Sequence, residues 1–154
     1  QRDIEINSFL ISSYAIGFDG LAHFYSDKSN IKKEIGAAFQ AHALWPNELA
    51  NPYCMKASKK LFNKFSDINN GITVTATGFY GPQGRKLRLN PFISDLHEKM
   101  ESFNYNGNRI TNFEMETSAL YYLGQTLKHN TLTICAIIGN RLTGEYSKDY
   151  KKTI

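Results

Sequence analysis

The segment Ile72-Thr73-Val74-Thr75-Ala76-Thr77 constrains the fold of this chain more than any other. Apolar and hydroxyl side chains alternate with period two, and most are β-branched. Such a run crowds a helix and suits a pleated strand. Asn69-Asn70-Gly71 opens it as a turn signal, and Gly78 closes it. A second apolar run, Leu132 to Ile138, is short and continuous, the pattern of a strand buried on both faces. Between the two lies a helical pattern carrying Met115, Ala119, Tyr122, Leu123 and Leu127. Thr111 and Glu114 stand ahead of it at capping-box spacing. Strand, helix and strand in this order predict an α/β fold with helices covering a sheet.

The rest of the chain is read in the same terms. Phe9-Leu10-Ile11 and Tyr14-Ala15-Ile16 predict a strand or strand pair ending near Gly17 and Gly20. Residues 27–33 are polar and read as loop. Trp45-Pro46-Asn47 starts a turn. Pro52 to Phe65 has helical character, with Met55, Leu61, Phe62 and Phe65 on one face. Asn90-Pro91 opens a helix with Phe92, Leu96, Met100 and Phe103 near helical spacing. The tail from Gly144 to Ile154 is polar and basic, and is expected to be mobile.

Composition narrows the class. The chain has 154 residues, 42% apolar and 21% charged, the balance of one globular domain with its own core. No apolar run approaches the roughly 20 residues of a membrane helix. The first residues lack a signal peptide's apolar core, and there is no initiator Met, so a processed chain or a piece of a longer one is expected. Basic residues exceed acidic ones, 18 to 14, but they are scattered. Lys32-Lys33, Lys59-Lys60 and Lys151-Lys152 read as a solvated surface rather than a nucleic-acid footprint. Cys54 and Cys135 form no metal-type pair, and Cys135 reads as a small buried hydrophobe. Neither demands an oxidising compartment, so a cytoplasmic location is expected. Of the four histidines (His23, His42, His97 and His129), none pairs at metal-ligand spacing. All read as structural or surface residues, and no metal is expected.

In sheets of this kind, sites gather where strands end in loops. Three such segments have unusual polar content: the loop 79–85, the helix start 112–118 and the strand end 139–143. A Gln–Arg pair, a carboxylate pair and a further Arg could surround a small polar ligand. Residue chemistry alone does not say which.

Phe79-Tyr80-Gly81-Pro82-Gln83-Gly84-Arg85 resembles the uracil-recognition loop of uridine phosphorylase-type nucleoside phosphorylases, F-Y-x-G-Q-x-R. Asn112-Phe113-Glu114-Met115-Glu116-Thr117 resembles their ribose-binding segment, N-Y-E-M-E-S. Ile138-Gly139-Asn140-Arg141 is similar to the strand end I-V-N-R that carries their base-site arginine. Ser8 to Ile11 and Phe18-Asp19-Gly20 are similar to two earlier segments of the family, so the resemblance covers nearly the whole chain. It departs at Pro82, where the family has Gly; a proline fixes φ and removes an N–H. Thr117 stands for the usual Ser. The family's R-x-G-T-x-G-A-x-Q phosphate segment would precede this chain, with Gln1 as its last residue, and the family's final helix would follow Ile154.

The resemblance implies one domain over residues 1–154, a partial nucleoside phosphorylase fold with a mixed central sheet, lacking the N-terminal phosphate-binding part. It implies phosphorolysis of uridine, with phosphate as co-substrate and no cofactor. Substrate nucleoside and phosphate are the implied partners, with no nucleic acid and no membrane, in a homo-oligomer built as a dimer or as dimers grouped into a hexamer. The amide of Gln83 would pair with the uracil edge. Arg85 would stabilise the leaving base, with Arg141 closing over it. Glu116 would accept hydrogen bonds from the ribose 2′- and 3′-hydroxyls. Phe79, Met115 and Ile138 would line the substrate, although core packing alone would also account for each. Glu114 is the remaining substrate-binding candidate, with helix capping as the alternative. Purine nucleoside phosphorylases of the superfamily carry Ser-Asp where Asn140-Arg141 stands, which favours a pyrimidine base. A purine enzyme, a nucleosidase and a non-catalytic nucleoside-binding fragment are the alternatives; alone, the chain is expected to be inactive.

Overall fold

The structure is a computed structural model and describes residues 1–152. Strand β1 (Phe9–Gly17) is its axis. β3 (Asn70–Thr75) lies parallel along one edge of β1, and β5 (Asn108–Glu114) lies parallel along β3. Two short strands share the other edge of β1, both antiparallel. β2 (Tyr53–Lys56) pairs with residues 14–17 and β6 (Ile134–Ala136) with residues 9–11. β4 (Asn104–Tyr105) closes the far side beside β5. The sheet is therefore mixed. A separate hairpin joins β7 (Gly139–Asn140) to β8 (Glu145–Tyr146).

Helices cover both faces. Helix α1 (Lys33–Ala43) and helix α3 (Leu96–Ser102) pack on the face that carries Ile16, Ile72 and Val74. Helix α4 (Thr117–Thr126) packs on the opposite face through Tyr121 and Tyr122, against Ala15, Tyr53 and Met55. The alternation of β3 thus sorts its side chains between two buried faces. Thr73 and Thr75 are fully buried, not solvated. Their hydroxyls find partners across the sheet, which removes the cost of burying them. Thr73 Oγ1 bonds Ser12 Oγ at 2.5 Å and donates to Asn112 Oδ1 at 2.6 Å.

Several sequence expectations are overturned. Pro52 to Phe65 is not a helix: Tyr53–Lys56 is strand β2, and only the single turn α2 (Lys59–Phe62) follows. Pairing with β1 overrides local propensity there, and Phe65 remains exposed. The helix expected from Asn90 begins at Leu96. Thr111 and Glu114 lie in strand β5, so they form no capping box. β6 is not buried on both faces: Ile134 is 40% exposed, and Cys135 and Ala136 border a cavity. In the tail, Glu145–Tyr146 form strand β8 and Tyr150–Lys152 a 3-10 turn, while residues 153 and 154 lie outside the described residues.

Helix α1 went unread although Ile35, Phe39 and Ala43 repeat at i, i+4, i+8. Gly36 interrupts the pattern, and the tertiary structure gives its reason. A Cβ there would stand 2.9 Å from the Pro52 carbonyl oxygen at the entry to β2. Gly36→Ala gains helix propensity of up to about 1 kcal/mol but forces backbone apart, an overpacking cost of about 1–3 kcal/mol. A lower unfolding midpoint of the full-length protein is expected on thermal melting. A raised midpoint would mean that α1 slides freely over β2.

Candidate active site

The helix start at 114–118 is organised by the carboxylate of Glu114. Its Oε1 accepts the Thr75 hydroxyl at 2.5 Å, and its Oε2 accepts the backbone N–H groups of Glu116 and Thr117, both at 2.8 Å. Glu114 thus caps α4 from the preceding strand, where an acid also complements the helix dipole. Thr75 Oγ1 in turn accepts the Ser118 N–H at 2.9 Å. The Ser118 hydroxyl donates to Asp19 and accepts from Tyr53 Oη. Burial holds the Tyr53 phenol well above its ordinary pKa, so it stays a donor. Asp19 stands out in the sequence only within Phe18-Asp19-Gly20, and Tyr53 and Ser118 carry no signal there, because only the tertiary fold brings the three together.

This brace points Glu116 outward. Its carboxylate makes no hydrogen bond or ion pair with the described residues. It lines a cavity of 570 Å³ together with Glu114, Phe113, Ile138 and Arg141. Met115 is 38% exposed and is not part of that lining. The basic side chains lining the cavity are His97 and Arg141. Cys135 also lines it, partly rather than fully buried, and desolvation raises its thiol pKa.

The second cluster forms on the loop after β3. Gly81–Gln83 makes a 3-10 turn and Gly84 follows with φ +70°, a conformation that favours glycine. The turn folds the Gln83 side chain inward until the residue is 2% exposed. Arg141 reaches over from the end of β7. It donates through Nη1 to the Gln83 carbonyl at 3.1 Å and through Nη2 to the Gln83 side-chain Oε1. Its guanidinium also lies 5.7 Å from the Phe113 ring centre. Arg85 takes a different path and stacks on Phe79, 3.9 Å from the ring centre. Its Nε is buried without a hydrogen-bond partner. Neither arginine is in an ion pair among the described residues. Desolvation first, and the Arg85 charge next, lower the Arg141 pKa.

The fold therefore joins Gln83 to Arg141 directly, and Arg141 to Glu116 across one cavity. Phe79 and Arg85 sit beside Gln83 but not on that cavity; Arg85 lines a neighbouring apolar one with Tyr80 and Leu96. Asn140, next to Arg141, is buried and fully engaged. Its Nδ2 donates to the carbonyls of Gln1 and Ile4, and its Oδ1 accepts the Leu142 N–H. Among the described residues, no three His, Cys, Asp or Glu side chains converge as metal ligands. No helix of the structure is long and apolar enough to cross a membrane.

The mixed sheet covered by helices on both faces matches the nucleoside phosphorylase fold. The chain belongs to the phosphorylase superfamily, whose sequence profile matches residues 1–153. It is similar to the uridine phosphorylase of Thermococcus kodakarensis, 28% identical over 152 residues, which are 99% of this chain and 49% of that protein. Among solved structures it resembles a Trypanosoma brucei nucleoside phosphorylase with uridine phosphorylase activity, at a TM-score of 0.77 and 21% identity. That match covers 98% of this chain and 55% of the other. A uridine phosphorylase of Phytophthora capsici (TM-score 0.57, 18% identity) covers 99% of this chain and 56% of its own. A purine nucleoside phosphorylase of Toxoplasma gondii (TM-score 0.51, 18% identity) covers 95% and 48%. The structural likenesses establish the fold, and the chain spans about half the length of the relatives it matches.

Proposed function

We propose that the protein carrying this chain phosphorolyses uridine in pyrimidine salvage in the cytoplasm, as a homo-oligomer and without a cofactor. One observation carries the reading: a buried glutamine amide flanked by two arginines, neither of them in an ion pair. A primary amide donates and accepts at once, which matches the acceptor–donor edge of a uracil; the Gln83 Oε1 here already accepts from Arg141, so the reading rests on its remaining lone pair and its Nε2–H groups. Unneutralised guanidiniums beside it favour a base that departs with negative charge.

In this reading a phosphate oxygen attacks the anomeric carbon as the bond from that carbon to the base nitrogen breaks. The bonding pair leaves with the base, which takes up a proton to become uracil, and ribose 1-phosphate remains. Glu116 holds the ribose hydroxyls and faces the sugar as it becomes electron-poor. Arg85 and Arg141 stabilise the base. Of the three packing candidates Ile138 borders the cavity taken to hold the nucleoside, whereas Phe79 and Met115 stand outside its lining, and Glu114 serves the substrate through the backbone it holds. Catalysis is positioning and electrostatics, with no covalent enzyme intermediate.

The purine reading lacks an acid at the strand end, where Arg141 follows an Asn140 already committed to backbone partners. The test compares uridine and inosine as substrates of the full-length protein. Uridine should be favoured by at least about 100-fold in kcat/KM, as expected where a polar site leaves the wrong base unpaired. Comparable turnover of inosine would place the protein in the purine branch.

A further inference from the structure

His97 sits where the two clusters meet. It lies on α3 and lines the same cavity as Glu116 and Arg141. Its ring is edge-on to Phe113 at 6.5 Å, the ring over which Arg141 is placed. On its other side it rests on the recognition loop: a Cβ on Gly84 would lie 3.0 Å from His97 Nε2 and 3.3 Å from its Cδ2. The missing side chain at Gly84 is thus what lets the imidazole approach the turn that buries Gln83. The Gln83 carbonyl of the same turn accepts from Arg141.

We propose that His97 is a positioning residue of the base site, holding the Gln83–Gly84 turn from the α3 side and so seating Arg141 on Gln83. The proposal rests on the uracil-site reading above and adds a residue to it. The charged groups facing His97 are Arg141 from the β7 end, Arg85 from the loop and Glu98 from its own helix. Desolvation first, then the Arg141 charge, pulls its pKa below the ordinary 6.5, with Arg85 adding to this and Glu98 opposing it. The imidazole is therefore neutral at pH 7.5. Protonation at lower pH places a third cation beside two arginines, and Arg141, held at a strand end, is the one displaced.

The experiment measures uracil affinity of the full-length protein by calorimetry between pH 7.5 and pH 5. Wild type should lose about tenfold or more at the acid end, as expected for one opposing charge. His97→Gln keeps an N–H for the loop and cannot titrate. It should bind within about threefold of wild type at pH 7.5 and stay flat to pH 5. His97→Lys carries its charge throughout and should show the acid-end affinity already at pH 7.5. An acid loss in His97→Gln equal to wild type, or wild-type affinity in His97→Lys, overturns the proposal. Absence of uracil binding by wild type at pH 7.5 overturns the uracil reading instead. In that event NMR titration of His97 without ligand decides the coupling. Its midpoint should rise toward 6.5 in Arg141→Gln, and an unchanged midpoint rejects the contact.

Discussion

Glu116→Ala should lower kcat/KM for uridine in the full-length protein by two to four orders of magnitude. The substitution removes an acceptor for two ribose hydroxyls, and hydrogen bonds to a charged group contribute about 1.5–3 kcal/mol each. At about 1.36 kcal/mol per tenfold, the pair accounts for the stated range. The rival role is a helix N-terminal acid, since Glu116 directly precedes α4. A dipole contribution of that kind is worth about 0.3–1 kcal/mol of stability and nothing in turnover. The two roles separate because the Glu116 side chain is exposed and unpaired, while Glu114 does the capping. Unfolding midpoints of variant and wild type should therefore nearly coincide while turnover collapses. Turnover within threefold of wild type would remove Glu116 from the ribose site.

The second large effect concerns phosphate. Residues 1–154 alone should show no phosphate-dependent release of uracil from uridine above background. Phosphate carries several negative charges and needs basic side chains or aligned N–H groups to hold it. Of the basic side chains lining the cavity, Arg141 is already bonded to Gln83 and His97 lies against the same loop. The Arg85 guanidinium is stacked on Phe79 beside the neighbouring cavity. Among the described residues, no basic side chain of the cavity lining is left over for the far side of the sugar. Gln1, the residue that matches the end of the family's phosphate segment, lines the cavity directly. Its amide donates to the carbonyls of Glu101 and Ile110, which holds Gln1 against this wall. The check is a uracil-release assay on purified 1–154 with the full-length protein as control. Robust turnover by 1–154 would mean that phosphate is held by residues given no such role here.

Much of this was legible in the linear chain, and the reason is local. The alternation at Ile72–Thr77 requires an extended backbone whatever surrounds it, and β3 occupies Asn70–Thr75. The helical spacing after Glu116 is likewise intrinsic, and α4 begins at Thr117. The polar segments at 79–85, 112–118 and 139–143 were marked by residue type alone, and two of them meet through Arg141 and Gln83. What failed was weakly specified locally. Tyr53–Lys56 carries side chains that suit a helix face or a strand, and the choice was made by hydrogen bonding to β1. Thr111 and Glu114 have capping-box spacing, yet pairing with β3 kept them extended.

The sequence by itself determined the strand at 72–75, the helix that follows Glu116 and which residue types stand at the strand ends, because backbone sterics and periodicity act within a few residues. Only the tertiary structure decided what those residues are bonded to. Parallel pairing of β3 with β5 brings Thr75 to Glu114 across 39 positions, and so fixes the start of α4. Docking of α3 sets His97 against Gly84 and Phe113. The path of the chain from β6 into β7 carries Arg141 onto Gln83 across 58 positions. Contacts at such separation depend on the packing of the whole sheet, and no local pattern encodes them.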